Sequence, residues 1–223
     1  MFRLVTVARE YGSGGGRIAQ LLAGRLGWKL LDRCLVEKIA ETARVKPEVA
    51  ERFDERPDPW LDRLADVFWQ SPGLRGYIGG HVPGRFDGEE AALLTRRIIE
   101  QAAVMGNCVI VGRGSQCILQ QSQDAFHVFI YAPRRQRLER LLRRDPSLSK
   151  TEAEKKLVAE DETRAAYVRD HYGENWENHH LYHLMVSSSL GEKEAVSIIL
   201  SALQVAQARP SLAESFGDER RSA

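Results

Sequence analysis

From Arg9 to Arg17 the chain reads Arg-Glu-Tyr-Gly-Ser-Gly-Gly-Gly-Arg, so the small residues Gly12, Ser13, Gly14, Gly15 and Gly16 lie between two cations. Glycines allow backbone N–H groups to close on phosphate oxygens, and a helix starting here adds about half a positive charge. A flexible Gly/Ser turn is the plainer alternative. Phosphate binding outweighs it, because the loop joins an apolar run to an amphipathic helical pattern. Two schemes compete for the phosphate. A dinucleotide loop, G-x-G-x-x-G with an acidic residue about 20 positions on, is met by Gly12, Gly14 and Asp32 but has Arg17 at its third glycine. A P-loop, G-x-x-x-x-G-K-[ST], read with Arg17 as its cation, has Tyr11 for the first glycine and Ile18 for the hydroxyl. Neither closes on the loop alone. Arg17 in a first helical turn opposes the macrodipole by about 0.3–1 kcal/mol, a cost that a bound anion would offset. Arg9 can reach the same anion.

More cations stand downstream. "APRRQRLERLLRRDP" holds six arginines between Arg134 and Arg144. Leu138, Leu141 and Leu142 make its apolar stripe, which leaves Arg137, Arg140 and Arg144 on one flank. Taken alone, a solvated helix face is the simpler account of that flank. Asp161 and Arg164, at i and i+3, can face the same way. Arg113 follows an apolar strand at the sheet end where α/β folds bind ligands. Arginines converging on a phosphate loop suit phosphoryl transfer, which is mostly positioning and charge neutralisation. The histidines of "HHLYH" (His179, His180, His183) lack a completing cysteine or carboxylate, so no metal site is expected there. His127, inside an apolar run, is expected in the core.

The elements that must hold these residues alternate. Strands are expected at Phe2–Ala8, in "WKLL" up to Asp32, at Cys108–Val111, in "AFHVFIYA" and in "HLMVSSS". The first helix carries Ile18, Leu21, Leu22 and Leu26 and stops at Gly27. Strand and helix in alternation predict an α/β fold, a parallel five-stranded sheet with helices on both faces. Residues 44–88, with several prolines and one helix-like piece, "WLDRLADVFWQ", break the pattern and read as an insertion. The expected core is then 1–43 with 89–209, and 210–223 a flexible tail. The chain has 223 residues, 43% of them hydrophobic and 28% charged, with net charge +1. That balance suits a soluble globular protein and gives no general attraction to nucleic acid. Cys34, Cys108 and Cys117 form no paired framework, and no run is long enough for a membrane span or a leader. A reduced, cytoplasmic protein without membrane or nucleic-acid partner is expected, and self-association is compatible with the sequence.

Together "VAREYGSGGGRIA", "LGWKLLDR", "VIVGRG" and "RAAYVRDHYGENW…LYHL…SS.LG" resemble, in order, the cytidylate kinase-like family of nucleoside monophosphate kinases. The resemblance implies a P-loop kinase fold with a helical, monophosphate-binding insertion at 44–88 and an arginine-rich lid at about 134–165. It implies transfer of the ATP γ-phosphoryl group to a monophosphate such as CMP or dCMP, with Mg²⁺. Its register sets Gly15 where the loop lysine of bacterial cytidylate kinases stands and Arg17 where their threonine stands. Arg17, Arg137 and Arg140 are thereby implied as catalytic, Gly12 to Arg17 as binding the donor, and Asp32, Arg113, Asp161 and Arg164 as binding the acceptor. Arg33 replaces a serine of that family's monophosphate site and Gly114 an aspartate. A nucleotide-binding regulatory protein that has lost catalysis with its lysine is the second reading, and a dinucleotide-dependent oxidoreductase the third.

Overall fold

The computed structural model describes residues 1–32 and 89–208. Five strands form one parallel sheet: β1 (Leu4–Arg9), β2 (Lys29–Leu31), β3 (Cys108–Val111), β4 (Ala125–Tyr131) and β5 (Leu184–Ser187), in the order β2-β3-β1-β4-β5. The described helices are α1 (Gly15–Leu26), α2 (Glu89–Met105), the short α3 (Ser115–Ile118), α4 (Arg134–Arg144), α5 (Lys150–Tyr172) and α6 (Glu192–Ala208). All five expected strands are present. The first starts two residues later than its apolar run suggests and extends through Arg9, pairing up to Ile130 of β4.

Alternation along each strand sends side chains to two cores. On one face Val5 and Val7, Val109 and Val111, and Phe126, Val128 and Ile130 pack against Ile18, Ala19 and Leu22 of α1 and Val196, Ile199 and Leu203 of α6. On the other, Ala8 and Phe129 pack with Val168 of α5 and with Trp176, Leu181 and Tyr182. Buried on both faces, the central strands carry the near-continuous apolar runs typical of parallel sheets. His127 is the polar residue in that run. It is fully buried, its Nδ1 lies 2.7 Å from Thr6 Oγ1, and its backbone N–H donates to His183 Nδ1 at 2.9 Å. His183 stacks on Phe126, so one member of the "HHLYH" run is a packing residue.

The strand order decides one of the sequence alternatives. A dinucleotide fold sets its second strand beside its first, with the acidic residue next to the glycine loop. Here β3 lies between β1 and β2. The strand that precedes Asp32 in the chain, β2, is two strands removed from the strand that enters the loop, and the oxidoreductase reading falls.

The chain divides into two compact units, Met1–Leu31 with Gly106–Ala223, and Asp32–Met105. The first contains the sheet. Of the second, Asp32 and α2 are described. In α2, Thr95, Ile98, Ile99 and Ala102 form a buried stripe, and Arg96 pairs with Glu100 along an exposed flank. The insertion expected at 44–88 and the tail at 210–223 lie outside the described residues. No described helix is long and apolar enough to cross a membrane.

Candidate functional site

Strand β1 ends at Arg9, and α1 starts at Gly15 behind an N-cap, Gly14, with φ 81°. The first N–H groups of a helix have no partner in its own ladder. Here the Gly15 amide donates to Ser13 Oγ at 3.3 Å and the ladder begins with Ile18 N–H to Gly14 O. The amides of Gly16 and Arg17 are left at the open start of the helix. The loop's carbonyls, by contrast, are engaged. Glu10 O accepts from the Ser13 amide and hydroxyl, Tyr11 O from Arg137 Nη1 at 3.2 Å, and Ser13 O from Arg140 Nη1 at 2.8 Å and from Ser188 Oγ. Across a trans peptide N–H and C=O point in opposite directions. Fixing the carbonyls on one side therefore turns the amides to the other, as an anion cradle needs.

The arginine flank of α4 supplies those anchors. Arg137, Arg140 and Arg144 all meet the loop or its base; Arg137 and Arg140 are part-buried there, while Arg144 stays exposed. Arg137 is 12% exposed and binds Asp161 Oδ2 besides Tyr11 O, with Glu10 Oε2 at 3.5 Å. Arg140 also donates to Ser188 Oγ and O. Arg144 donates to the Tyr11 hydroxyl at 2.6 Å, and its guanidinium and that of Arg164 both lie over the Tyr11 ring, 5.3 and 5.2 Å from its centre. Behind them Leu138, Leu141, Ala153 and Leu157 join α4 to α5 in a small core on which Tyr11 packs. A capping box of Ser149 and Glu152 starts α5.

Asp161 ties this cluster together. Its Oδ1 accepts from the Tyr11 amide at 2.6 Å and from Arg164 Nη1 at 3.1 Å, while Oδ2 takes Arg137. Burial pushes the Arg164 guanidinium below its ordinary pKa, an effect opposed by Asp161 and Glu160; it stays cationic at any working pH. Burial likewise pushes the Glu10 carboxyl up, against the Ala132 amide and Arg137, which favour its charged form.

A second feature faces the end of β1 from the adjacent strand. After β3, Gly112, Arg113 and Gly114 all adopt left-handed backbone, with φ 72°, 59° and 66°. A non-glycine residue there is uncommon and strained, a condition that clusters at functional sites. The Tyr172 ring of α5 lies against Gly114, so a Cβ at that position would overlap it. Ser115, the next residue, is fully buried, and its hydroxyl has no protein partner among the described residues. Tyr167 of α5 stands near Arg113, whose charge partly offsets the rise in the phenol pKa caused by burial.

Sequence reasoning thus names residues that the fold gathers around one loop, Gly12 to Gly16, Arg137, Arg140, Asp161 and Arg164, with Arg113 in the turn after the adjacent strand. The Arg17 side chain stands apart. It is exposed and donates to Gln20 Oε1 one turn along α1. Asp32 belongs to the other unit. Glu10, Tyr11 and Ser188 join the cluster unannounced. The spacing 137, 140, 144 sets Arg144 beside Arg137 and Arg140 on a single helix face, as the sequence indicates.

Magnesium is implied by the expected chemistry. P-loop enzymes hold it with a loop hydroxyl and a carboxylate near the sheet end. Gly16 and Arg17 offer no hydroxyl, the Ser13 hydroxyl donates to Glu10 O, and β3 runs into its turn without a carboxylate. Among the described residues no three His, Cys, Asp or Glu side chains gather where a metal would be held. Among the described residues the donor set does not fit a protein-held ion.

The solved structure of an uncharacterized protein from Eubacterium ventriosum is similar to this chain at TM-score 0.65 and 18% identity, over 90% of this chain and 98% of that one. Shikimate kinase from Acinetobacter baumannii, solved in complex with shikimate, gives TM-score 0.49 at 15% identity over 92% and 94% of the two chains. Shikimate kinase from Bacteroides thetaiotaomicron gives 0.47 at 16% identity over 90% and 98%. No curated protein sequence matches the chain. The strand order and the loop behind β1 are those of an α/β P-loop kinase fold, and a family model spans most of its length: matched over residues 4–190, the chain belongs to the cytidylate kinase-like family.

Proposed function

We propose that the protein is an ATP-dependent nucleoside monophosphate kinase, transferring the γ-phosphoryl group of ATP to CMP or dCMP. One observation carries the reading: the loop between β1 and α1 has its carbonyls held by Arg137, Arg140 and Ser188, which leaves amides at the helix start for an anion. The amides of Gly14, Gly16 and Arg17 would receive the donor phosphates. Arg137 and Arg140 keep the loop in that form, and Asp161 fixes Arg137 and Arg164 against it. Arg113 and Arg164 would take the acceptor phosphate, with the buried Ser115 hydroxyl as a further donor. Asp32 joins the acceptor's ligands on the family resemblance alone. Mg²⁺ enters with the triphosphate, as part of the substrate.

Phosphoryl transfer asks little covalent chemistry of a protein, and in-line positioning with charge neutralisation suffices. A second reading has its own observation. With Gly15 at the lysine position and two lid arginines committed to loop carbonyls, the protein would bind nucleotide for regulation without turning it over. An ATP-consumption assay across CMP, dCMP, UMP, AMP and GMP separates the two. Turnover confined to cytidine acceptors is expected. Tight ATP binding with no turnover of any acceptor would leave the regulatory reading.

A further inference from the structure

Counting the motif G-x-x-x-x-G-K back from Gly15 at the lysine position puts Gly14 at the second glycine and Arg9 at the first. The chain therefore carries a cation where the motif has glycine, and glycine where the motif has its cation. The structure brings these two positions face to face. A Cβ built on Gly15 would lie 2.5 Å from the Arg9 Cβ and 2.9 Å from its Cγ, so the stem of Arg9 runs across the first residue of α1. Its guanidinium continues to the end of the neighbouring strand, where a Cβ on Gly112 would overlap Arg9 Nη1. A side chain at position 15 and the stem of Arg9 cannot both occupy this space. Gly15 and Gly112 are the two gaps through which Arg9 passes, and Arg9 is half-buried along that path.

We propose that Arg9 is the donor-phosphate cation of this site, the loop lysine transposed to the end of β1, with Gly15 as the obligatory other half of the exchange. This rests on the ATP-binding reading above and names its principal charged ligand. Arg17, at the outer side of the same helix start, is exposed and turned to Gln20. A guanidinium entering from the strand also brings several donors in a fixed fork, suited to two phosphate oxygens at once. It supplies positive charge in a loop where the described residues do not offer the hydroxyl and carboxylate pair of a metal-holding P-loop.

The test is an exchange of the pair, read as affinity for a fluorescent ATP analogue and for CMP, with the melting temperature of each variant as a folding control. Arg9→Gln is expected to weaken the ATP analogue roughly 10- to 100-fold, the worth of a charge-assisted contact, and to leave CMP binding within about two-fold. Arg9→Gly should do the same. The double variant Arg9→Gly/Gly15→Lys should regain most of the lost affinity, whereas Gly15→Lys alone, with both side chains in one space, should melt lower. Arg9→Lys keeps the test decisive if the double variant does not fold, and should retain more affinity than Arg9→Gln. Equal ATP affinity in wild type and Arg9→Gln would overturn the proposal while leaving the kinase reading intact, provided the wild type turns over its acceptor. A wild type that binds no ATP would overturn both.

Discussion

Asp161 holds three groups at once, the Tyr11 amide, Arg137 and Arg164, and each is at least partly withdrawn from water. Removing one partner of a buried ion pair costs more than the pair itself contributes, because the other charge is left uncompensated. Asp161→Ala should therefore destabilise the protein by about 3 kcal/mol, measured by urea unfolding, and should weaken ATP binding by loosening the loop. A loss below about 1 kcal/mol would show that Arg137 finds enough support in Glu10. The same cluster predicts a pH effect. Burial already raises the folded-state pKa of Glu10, and Arg137 opposes that rise. In Arg137→Met the rise grows, the folded state holds its proton to higher pH than the unfolded chain, and stability falls as pH increases through that window. Unfolding curves at a series of pH values between about 4.5 and 7 should show a steeper decline in the variant than in wild type. Parallel profiles would mean that the two side chains are not coupled. At this scale the sequence identifies the cations and the local Asp161–Arg164 pair, but not the long-range partners. Arg137 reads as one of several arginines on a helix flank, and nothing local reveals that it closes on a loop 126 residues away. Arg17 is the converse case. Its place beside the glycines draws attention, but a helix side chain points along its own turn, and Gln20 at i+3 captures it.

Strands were legible wherever burial on both faces makes them continuously apolar, as in Cys108–Val111 and Ala125–Tyr131. Their boundaries were less so. Arg9 extends β1 because backbone pairing with β4 persists beyond the apolar run. The long α5 was harder to recognise, since its contacts are distributed between the α4 core and the opposite face of the sheet and no single apolar stripe runs its length. The turn after β3 belongs to this scale as well. Gly-Arg-Gly marks a sharp turn in sequence, and the structure adds that the Tyr172 ring closes over its last glycine. Gly114→Ala combines a left-handed backbone, which costs a side-chain-bearing residue about 1–2 kcal/mol, with overlap on the ring. It should lower stability by at least that amount in thermal or urea unfolding and weaken acceptor binding through Arg113. A variant as stable as wild type would mean that Tyr172 moves aside freely.

For the molecule as a whole, strand order carries more functional information than any single motif. Glycines followed by an acidic residue at the end of the second strand fit two nucleotide folds in sequence. Placing β3 between β1 and β2 leaves one of them. The same packing governs reactivity. Burial pushes the thiols of Cys108 and Cys117 up to about 12, so at pH 8 about one molecule in 10⁴ carries either thiolate. Both should stay unmodified by N-ethylmaleimide in the native protein under conditions that label them fully in urea, as read by peptide mapping. Native labelling at the denatured rate would indicate that the sheet opens locally. The central claim is that the loop behind β1 delivers a phosphoryl group. It is tested most directly by incubating the protein with γ-phosphate-labelled ATP and CMP and following the label by chromatography. The account predicts label appearing in CDP at a rate that depends on both substrates. Label released only as inorganic phosphate, or remaining in ATP at protein concentrations comparable to the nucleotide, would contradict it.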